Sequence, residues 1–181
     1  MHLLQLIQHS LRKEVLKLTI AVYPGSFDPV TNGHLDIMER ACHIFEQVIV
    51  AVSHNVTKHC TFSATERRAL ILESTPHLSN LRVELSEQLV VDYTRRVGGH
   101  VIIRGLRAVS DFEIELKMAL MNKHLNPEVD TVFLMPKAEY MFLNSSLIRE
   151  IAGFGGEVAD FVPACVEELL RKKYNRIKSE N

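Results

Sequence analysis

The sequence predicts an α/β domain, doubly wound, with a mostly parallel five-stranded sheet and helices on both faces. Three observations predict it. Five short runs rich in β-branched and apolar residues recur along the chain, stretches of helical periodicity separate them, and turn and capping residues fall at the junctions. Parallel strands need crossover connections, and helical crossovers cover both faces of a sheet, the Rossmann-like arrangement.

The strands are expected over Thr19–Tyr23, Gln47–Ser53, Leu81–Leu85, His100–Ile103 and Thr131–Met135. Helical spacing fills Gly33–Phe45, Ala64–Thr75, Leu89–Val97, Asp111–Leu125 and Ser145–Ala152, with a last helix near Ala164–Tyr174. In chain order, Pro24-Gly25 reads as a tight turn off the first strand. Ser63-Ala64-Thr65-Glu66 reads as a capping box opening the second helix, which Pro76 closes. Gly98-Gly99 ends the third helix ahead of the strand at His100, and Ser110-Asp111-Phe112-Glu113 reads as a second capping box.

Residues 1–18 place Leu4, Ile7, Leu11, Val15 and Leu18 at helical spacing, with Arg12, Lys13 and Lys17 between them. A secretory signal would put its positive charge ahead of the apolar stretch, and here the order is reversed. A targeting helix, a partner-binding helix, a surface helix and an untidy translation start all stay open. With no repeat, linker or low-complexity tract, the expectation is one domain over 19–175, a helical extension over 1–18 and a polar tail over 176–181.

Composition narrows the function classes. The chain has 181 residues, 46% of them apolar and 24% charged, which is globular rather than disordered, and its net charge of -1 argues against a dedicated nucleic-acid binder. The three cysteines, Cys42, Cys60 and Cys165, are scattered and form no C-x-x-C, so a reducing cytoplasmic setting is expected rather than a disulfide scaffold or zinc ribbon. No apolar run approaches the ~20 residues that span a bilayer.

Ligands of such sheets bind beyond the carboxyl ends of the strands, so the residues there are the candidates. After the first strand comes Gly25-Ser26-Phe27-Asp28-Pro29, then Thr31-Asn32-Gly33-His34 at a helix start. Ser26 offers a hydroxyl and an N–H, Gly33 permits close approach, and the helix N-terminus favours an anion at which His34 is aimed. On spacing alone, a structural turn with a satisfied histidine explains the string equally well. Lys58 follows the second strand beside Thr57 and His59, a position ordinarily solvated. His54, His59 and Cys60 do not match usual metal-ligand spacings, and Cys60 has no identifiable partner base. Arg104-Gly105-Leu106-Arg107 sets two phosphate-matching guanidiniums about a glycine after the fourth strand. Glu115 lies on a helix where a solvated face is the plain alternative. Tyr140 and Asn144-Ser145-Ser146 follow the fifth strand, the serines at a helix start suited to phosphate.

Taken together, Gly25-Ser26-Phe27-Asp28-Pro29 with Thr31-Asn32-Gly33-His34 resembles the T/H-x-G-H signature of the nucleotidylyltransferase superfamily, in the form found in phosphopantetheine adenylyltransferases. The likeness continues through Ile103–Glu113, Met121-Asn122-Lys123-His124-Leu125, Val132–Pro136 and Ser145–Arg149, and covers about Thr19 to Tyr174. The resemblance implies adenylyl transfer from ATP to 4'-phosphopantetheine, giving dephospho-coenzyme A and pyrophosphate, by direct in-line attack without a covalent intermediate. It implies catalytic roles for His34, Lys58 and Arg107, and contacts to the acceptor from Ser26, Lys58, Val90 and Arg104. Contacts to ATP are implied for Ser26, Phe27, His34, Gly105, Leu106, Arg107, Glu115, Tyr140, Met141, Phe142, Leu143, Asn144, Ser145 and Ser146. It further implies Mg2+ carried mainly by the ATP phosphates, feedback inhibition by coenzyme A, a homohexamer, and neither nucleic acid nor membrane as partner. Two positions depart from the pattern: Asn144 stands where serine is common, and Gln88 where aspartate is common, before Leu89-Val90. Transfer to another phosphate acceptor, or nucleotide or coenzyme A sensing without turnover, are the alternatives.

Overall fold

The computed structural model describes residues 20–53, 60–107 and 109–179. Strands β1 (Ile20–Gly25), β2 (Gln47–Ser53), β3 (Leu81–Ser86), β4 (Val101–Gly105) and β5 (Asp130–Leu134) form one sheet in the order β3-β2-β1-β4-β5, with every pairing parallel. Helices α1 (Asn32–Ile44), α2 (Ala64–Ser74), α3 (Val90–Arg96) and α4 (Val109–Leu125) are crossovers; α5 (Ser145–Gly153) and α6 (Ala164–Ser179) follow β5, after a 3-10 turn at Ala138–Tyr140. The expected fold class is the observed one.

The period of two along each strand builds two cores. Ala21, Tyr23, Val48, Val50, Val52 and Ile103 face α1 and α2, where Ile37, Met38, Ala41, Leu70 and Ile71 are buried, and Ile148, Val166 and Leu170 of α5 and α6 complete that layer. Val22, Ile49 and Ala51 face the other way onto Tyr93 of α3, and Ile102 meets Val91 and Val129. The chain winds from β1 outward to β3, then returns to lay β4 against the opposite edge of β1. The crevice of a doubly wound sheet opens at this reversal, between the carboxyl ends of β1 and β4.

Boundaries differ from expectation where long-range contacts decide them. β1 continues through Pro24 to Gly25, paired with Ala51 and Val52, instead of turning at Pro24. Proline is tolerated in this central strand because the β1–β4 ladder has already ended at Val22. The box at Ser63 is present, with Ser63 Oγ accepting from Glu66 N–H and Glu66 Oε2 accepting from Ser63 N–H. The helix expected from Asp111 begins at Val109, which places Ser110 within its first turn. Gly98 takes φ +72°, the left-handed conformation that closes α3. Helix α6 runs on to Ser179 because i,i+4 pairs such as Glu167–Arg171 and Glu168–Lys172 support a polar helix that apolar spacing cannot mark. The expectation for residues 1–18 lies outside the described residues. Among those described, no helix is long and apolar enough to cross a membrane.

Candidate active site

A cavity of about 270 Å³ opens at the topological reversal. Its floor is the end of β1, Tyr23 to Gly25, continued by Ser26 and Phe27. One wall is the start of α1, with Thr31, Gly33, His34 and Ile37, and the other is the end of β4, with Arg104, Gly105 and Arg107. Glu115 of α4 closes one side, and Pro136, Tyr140 and Leu143 to Ser146 close the last.

His34 is the third residue of α1, and Thr31 holds both its ring and its backbone. Thr31 N–H donates to His34 Nδ1 at 3.1 Å, while Thr31 Oγ1 accepts from the His34 backbone N–H at 3.4 Å. This is a capping box in which an imidazole takes the place of the usual Glu or Gln. Because Nδ1 accepts, the neutral ring carries its proton on Nε2. Burial, reinforced by the Arg107 charge, lowers the His34 pKa to about 4, so the ring is a neutral donor near pH 7. The Phe27 ring stands edge-on to it, with centroids 5.1 Å apart.

The two arginines are set differently. Arg104 makes a bidentate pair with Glu115, from Nε to Oε2 and from Nη2 to Oε1, both at 2.6 Å, and Nη1 donates to Pro24 O at 3.2 Å. The Glu115 hydrogen bonds raise its already high pKa. Three of its five N–H groups are thus committed and two remain to meet an anion. Arg107 Nη1 donates to Leu143 O at 2.7 Å, tying the β4 loop to the segment before α5. Tyr23, buried among these groups, has its hydroxyl pKa raised by desolvation.

Helix α5 opens on Asn144, whose side chain accepts from Leu147 N–H at 2.8 Å as an N-cap. Asparagine ranks with serine in this role, so the departure at 144 preserves the cap. Ser145 Oγ donates to Pro29 O at 2.8 Å, and Arg149 bridges from Ser146 Oγ to the Asp28 carbonyl. Asp28 in turn accepts from the Thr61 and Phe62 N–H groups at 2.8 and 2.9 Å, which docks the residues preceding α2 onto the β1–α1 loop.

Two glycines also answer to packing, and Gly25 lies within β1 rather than in a turn. A Cβ on Gly25 would lie 2.8 Å from the Phe27 ring, and one on Gly33 would lie 3.3 Å from Tyr140 Cβ. The structure brings Ser26, Phe27, His34, Arg104, Gly105, Arg107 and Glu115 together with Tyr140, Leu143, Asn144, Ser145 and Ser146. Leu106, Met141 and Phe142 do not line this cavity; Leu106 is buried and Phe142 packs edge-on to Phe161. Val90 opens α3 and packs on Val91, Ile102 and Val129 instead. Lys58 lies outside the described residues, as do His54 and His59. Thr31 stands in the quoted string but not among the candidate site residues, although Thr31-x-x-His34 has capping-box spacing, whereas Tyr23 and Ile37 carry no sequence signal of their own.

The cavity can therefore bind an anion-rich ligand: two guanidiniums, one neutral imidazole N–H and a helix start face one space, with Glu115 as the single carboxylate among the described lining residues. Among the described residues no group of three or more His, Cys, Asp or Glu side chains comes together to hold a metal.

Residues 22–151 match the cytidylyltransferase-like family. The chain is 54% identical over 157 residues to the phosphopantetheine adenylyltransferase of Heliobacterium modesticaldum, covering 87% of this chain and 94% of that one. It is 52% identical to the phosphopantetheine adenylyltransferase of Desulforudis audaxviator, again over 157 residues, covering 87% and 96%. A solved Vibrio parahaemolyticus structure, assigned as a nicotinate-nucleotide adenylyltransferase, superposes with a TM-score of 0.65 over 87% of this chain and 95% of that one; at 16% identity the likeness is one of fold.

Proposed function

The chain belongs to the phosphopantetheine adenylyltransferase family, and from that premise we infer that it transfers the adenylyl group of ATP to 4'-phosphopantetheine. An oxygen of the acceptor's phosphate attacks the α-phosphorus of ATP, the bond from that phosphorus to the bridging oxygen breaks, and pyrophosphate leaves. The product is dephospho-coenzyme A, an intermediate of coenzyme A biosynthesis. The acceptor oxygen is already anionic, so direct in-line attack needs no general base and no covalent intermediate. What it needs is two mutually repelling anions held in line and charge stabilised as it develops.

The observation that carries the residue assignment is the locked, neutral His34. With Nδ1 engaged by Thr31, the Nε2–H is a fixed donor for an oxygen of the α-phosphate, and it needs no reorganisation as charge builds. Arg107 and the Ser145–Ser146 helix start, backed by the Asn144 cap, suit the remaining ATP phosphates. Arg104, stiffened by Glu115, suits the acceptor's phosphate together with Ser26 and, by family resemblance, Lys58. Glu115, assigned to ATP by resemblance, would act through Arg104, whose guanidinium it grips. Gly105 and Tyr140 flank the space left for the nucleoside. By the same resemblance Leu106, Met141, Phe142 and Leu143 would help hold ATP, and Val90 the pantetheine arm.

Mg2+ fits as a nucleotide-borne ion: the cavity's single carboxylate is paired with Arg104, while ATP brings its own oxygen ligands. When bound, it would supply charge neutralisation for the leaving pyrophosphate. Feedback inhibition by coenzyme A, a cytoplasmic location and a homohexamer complete the proposal. For self-association the support is α4, which leaves Ile114, Met118, Met121 and Leu125 exposed along one stripe.

The test is His34→Ala. Loss of one preorganised donor is expected to lower kcat by ~10²–10³, with the thermal unfolding transition retained. A folded His34→Ala enzyme with wild-type turnover would overturn the assignment.

A further inference from the structure

Arg67, in the first turns of α2, is the largest fully buried side chain, 1% exposed. Among the described residues no carboxylate pairs with it. A buried, uncompensated guanidinium is costly, so its partners need explaining. All three are backbone carbonyls from separate segments: Phe62 O at 3.1 Å from Nε, and Ser53 O at 3.0 Å and Ser26 O at 2.5 Å from Nη1. Ser53, at the end of β2, adds a hydroxyl donated to Gly25 O at 3.2 Å. The carbonyls of Gly25 and Ser26 are therefore both held by groups at the α2 and β2 side of the loop.

A trans peptide points its N–H opposite to its C=O, and the Ser26–Phe27 bond is trans. With the Ser26 carbonyl held by Arg67, the Phe27 N–H is turned to the other side, where Ser26 and Phe27 both line the cavity. Nothing among the described residues accepts from this N–H. Phe27 also takes φ +48°, a conformation unfavourable outside glycine. Its ring is caught between Tyr23 and His34, with centroids 5.3 and 5.1 Å away, so ring packing holds one end of the strained unit and Arg67 the other.

We propose that Arg67 is a positioning residue for adenylyl transfer, acting through the Ser26–Phe27 peptide to present the Phe27 N–H to the ATP phosphates. The proposal rests on the adenylyl-transfer reading above and deepens it. Without the guanidinium, the peptide is free to rotate and relax Phe27, and the donor is lost while His34, Arg104 and Arg107 stay in place.

Arg67→Lys and Arg67→Met test it, with full-length enzyme, thermal unfolding and initial rates varied in each substrate separately. Lysine keeps the charge but lacks the fork that reaches three carbonyls. For a folded Arg67→Lys enzyme the expected result is a kcat/KM for ATP lowered at least ~10-fold, part of what loss of a preorganised donor costs, with the KM for 4'-phosphopantetheine changed less than about twofold. A kcat/KM for ATP within about twofold of wild type overturns the proposal, and so does a KM for 4'-phosphopantetheine raised as much as the KM for ATP. The Phe27 amide resonance of the wild type gives a second readout that needs no variant to fold. It is expected to shift on adding ATP; an unmoved Phe27 amide while the Ser146 amide shifts overturns the proposal. A wild type that binds ATP but releases no pyrophosphate contradicts the adenylyl-transfer reading, and the Phe27 amide then still decides whether that N–H meets the ATP phosphates.

Discussion

His34 commits one ring nitrogen to its own helix and leaves the other for the ligand. Thr31 sets the tautomer, and burial with the nearby Arg107 charge keeps the ring unprotonated. The pH consequence follows from linkage. The folded-state pKa of about 4 lies below the unfolded value of 6.5, so the unfolded chain binds the extra proton first. The stability held by neutral His34 is complete above about pH 6.5 and is lost as pH falls toward 4. A histidine NMR titration is expected to give a His34 midpoint near 4, and His34→Gln to flatten the fall in stability between pH 6.5 and 4. A His34 midpoint near 6.5 would contradict a buried, neutral donor.

At the scale of elements, the site is assembled by helix starts and strand ends. Asn144 supplies the cap of α5, so Asn144→Ala is expected to cost ~1 kcal/mol of stability and to raise the KM for ATP, while Asn144→Ser restores both. Chemical unfolding and initial rates check it, and an unchanged stability in Asn144→Ala would exclude the cap. Much of this scale was legible from local pattern. The run Gln47–Ser53 is the strand observed, and Ser63–Glu66 is the cap observed, because β-branched runs and capping spacings act within a few residues. What stayed hidden depends on residues far apart in sequence. Gly25 answers to the Phe27 ring, Gly33 to Tyr140, and Glu115 to Arg104 rather than to a solvated face. Nothing local marks Arg67 as buried, since α2 carries a second arginine, Arg68, one position on that donates to Val83 O at the sheet edge.

For the whole molecule, a net charge of -1 hides a local concentration of positive groups, with Arg104 and Arg107 at one crevice of a parallel sheet. The same view isolates α4, whose stripe of Ile114, Met118, Met121 and Leu125 is 50–65% exposed and packs on neither core. Light scattering is expected to give the mass of six chains for the wild type and a smaller assembly for Met118→Glu combined with Met121→Glu. An unchanged mass in that variant would remove α4 from the interface.

The most direct test of the central claim is pyrophosphate release from ATP, followed with and without 4'-phosphopantetheine. Adenylyl transfer predicts stoichiometric pyrophosphate and dephospho-coenzyme A only when the acceptor is present. Binding of ATP and the acceptor without pyrophosphate release, or release independent of the acceptor, would contradict it.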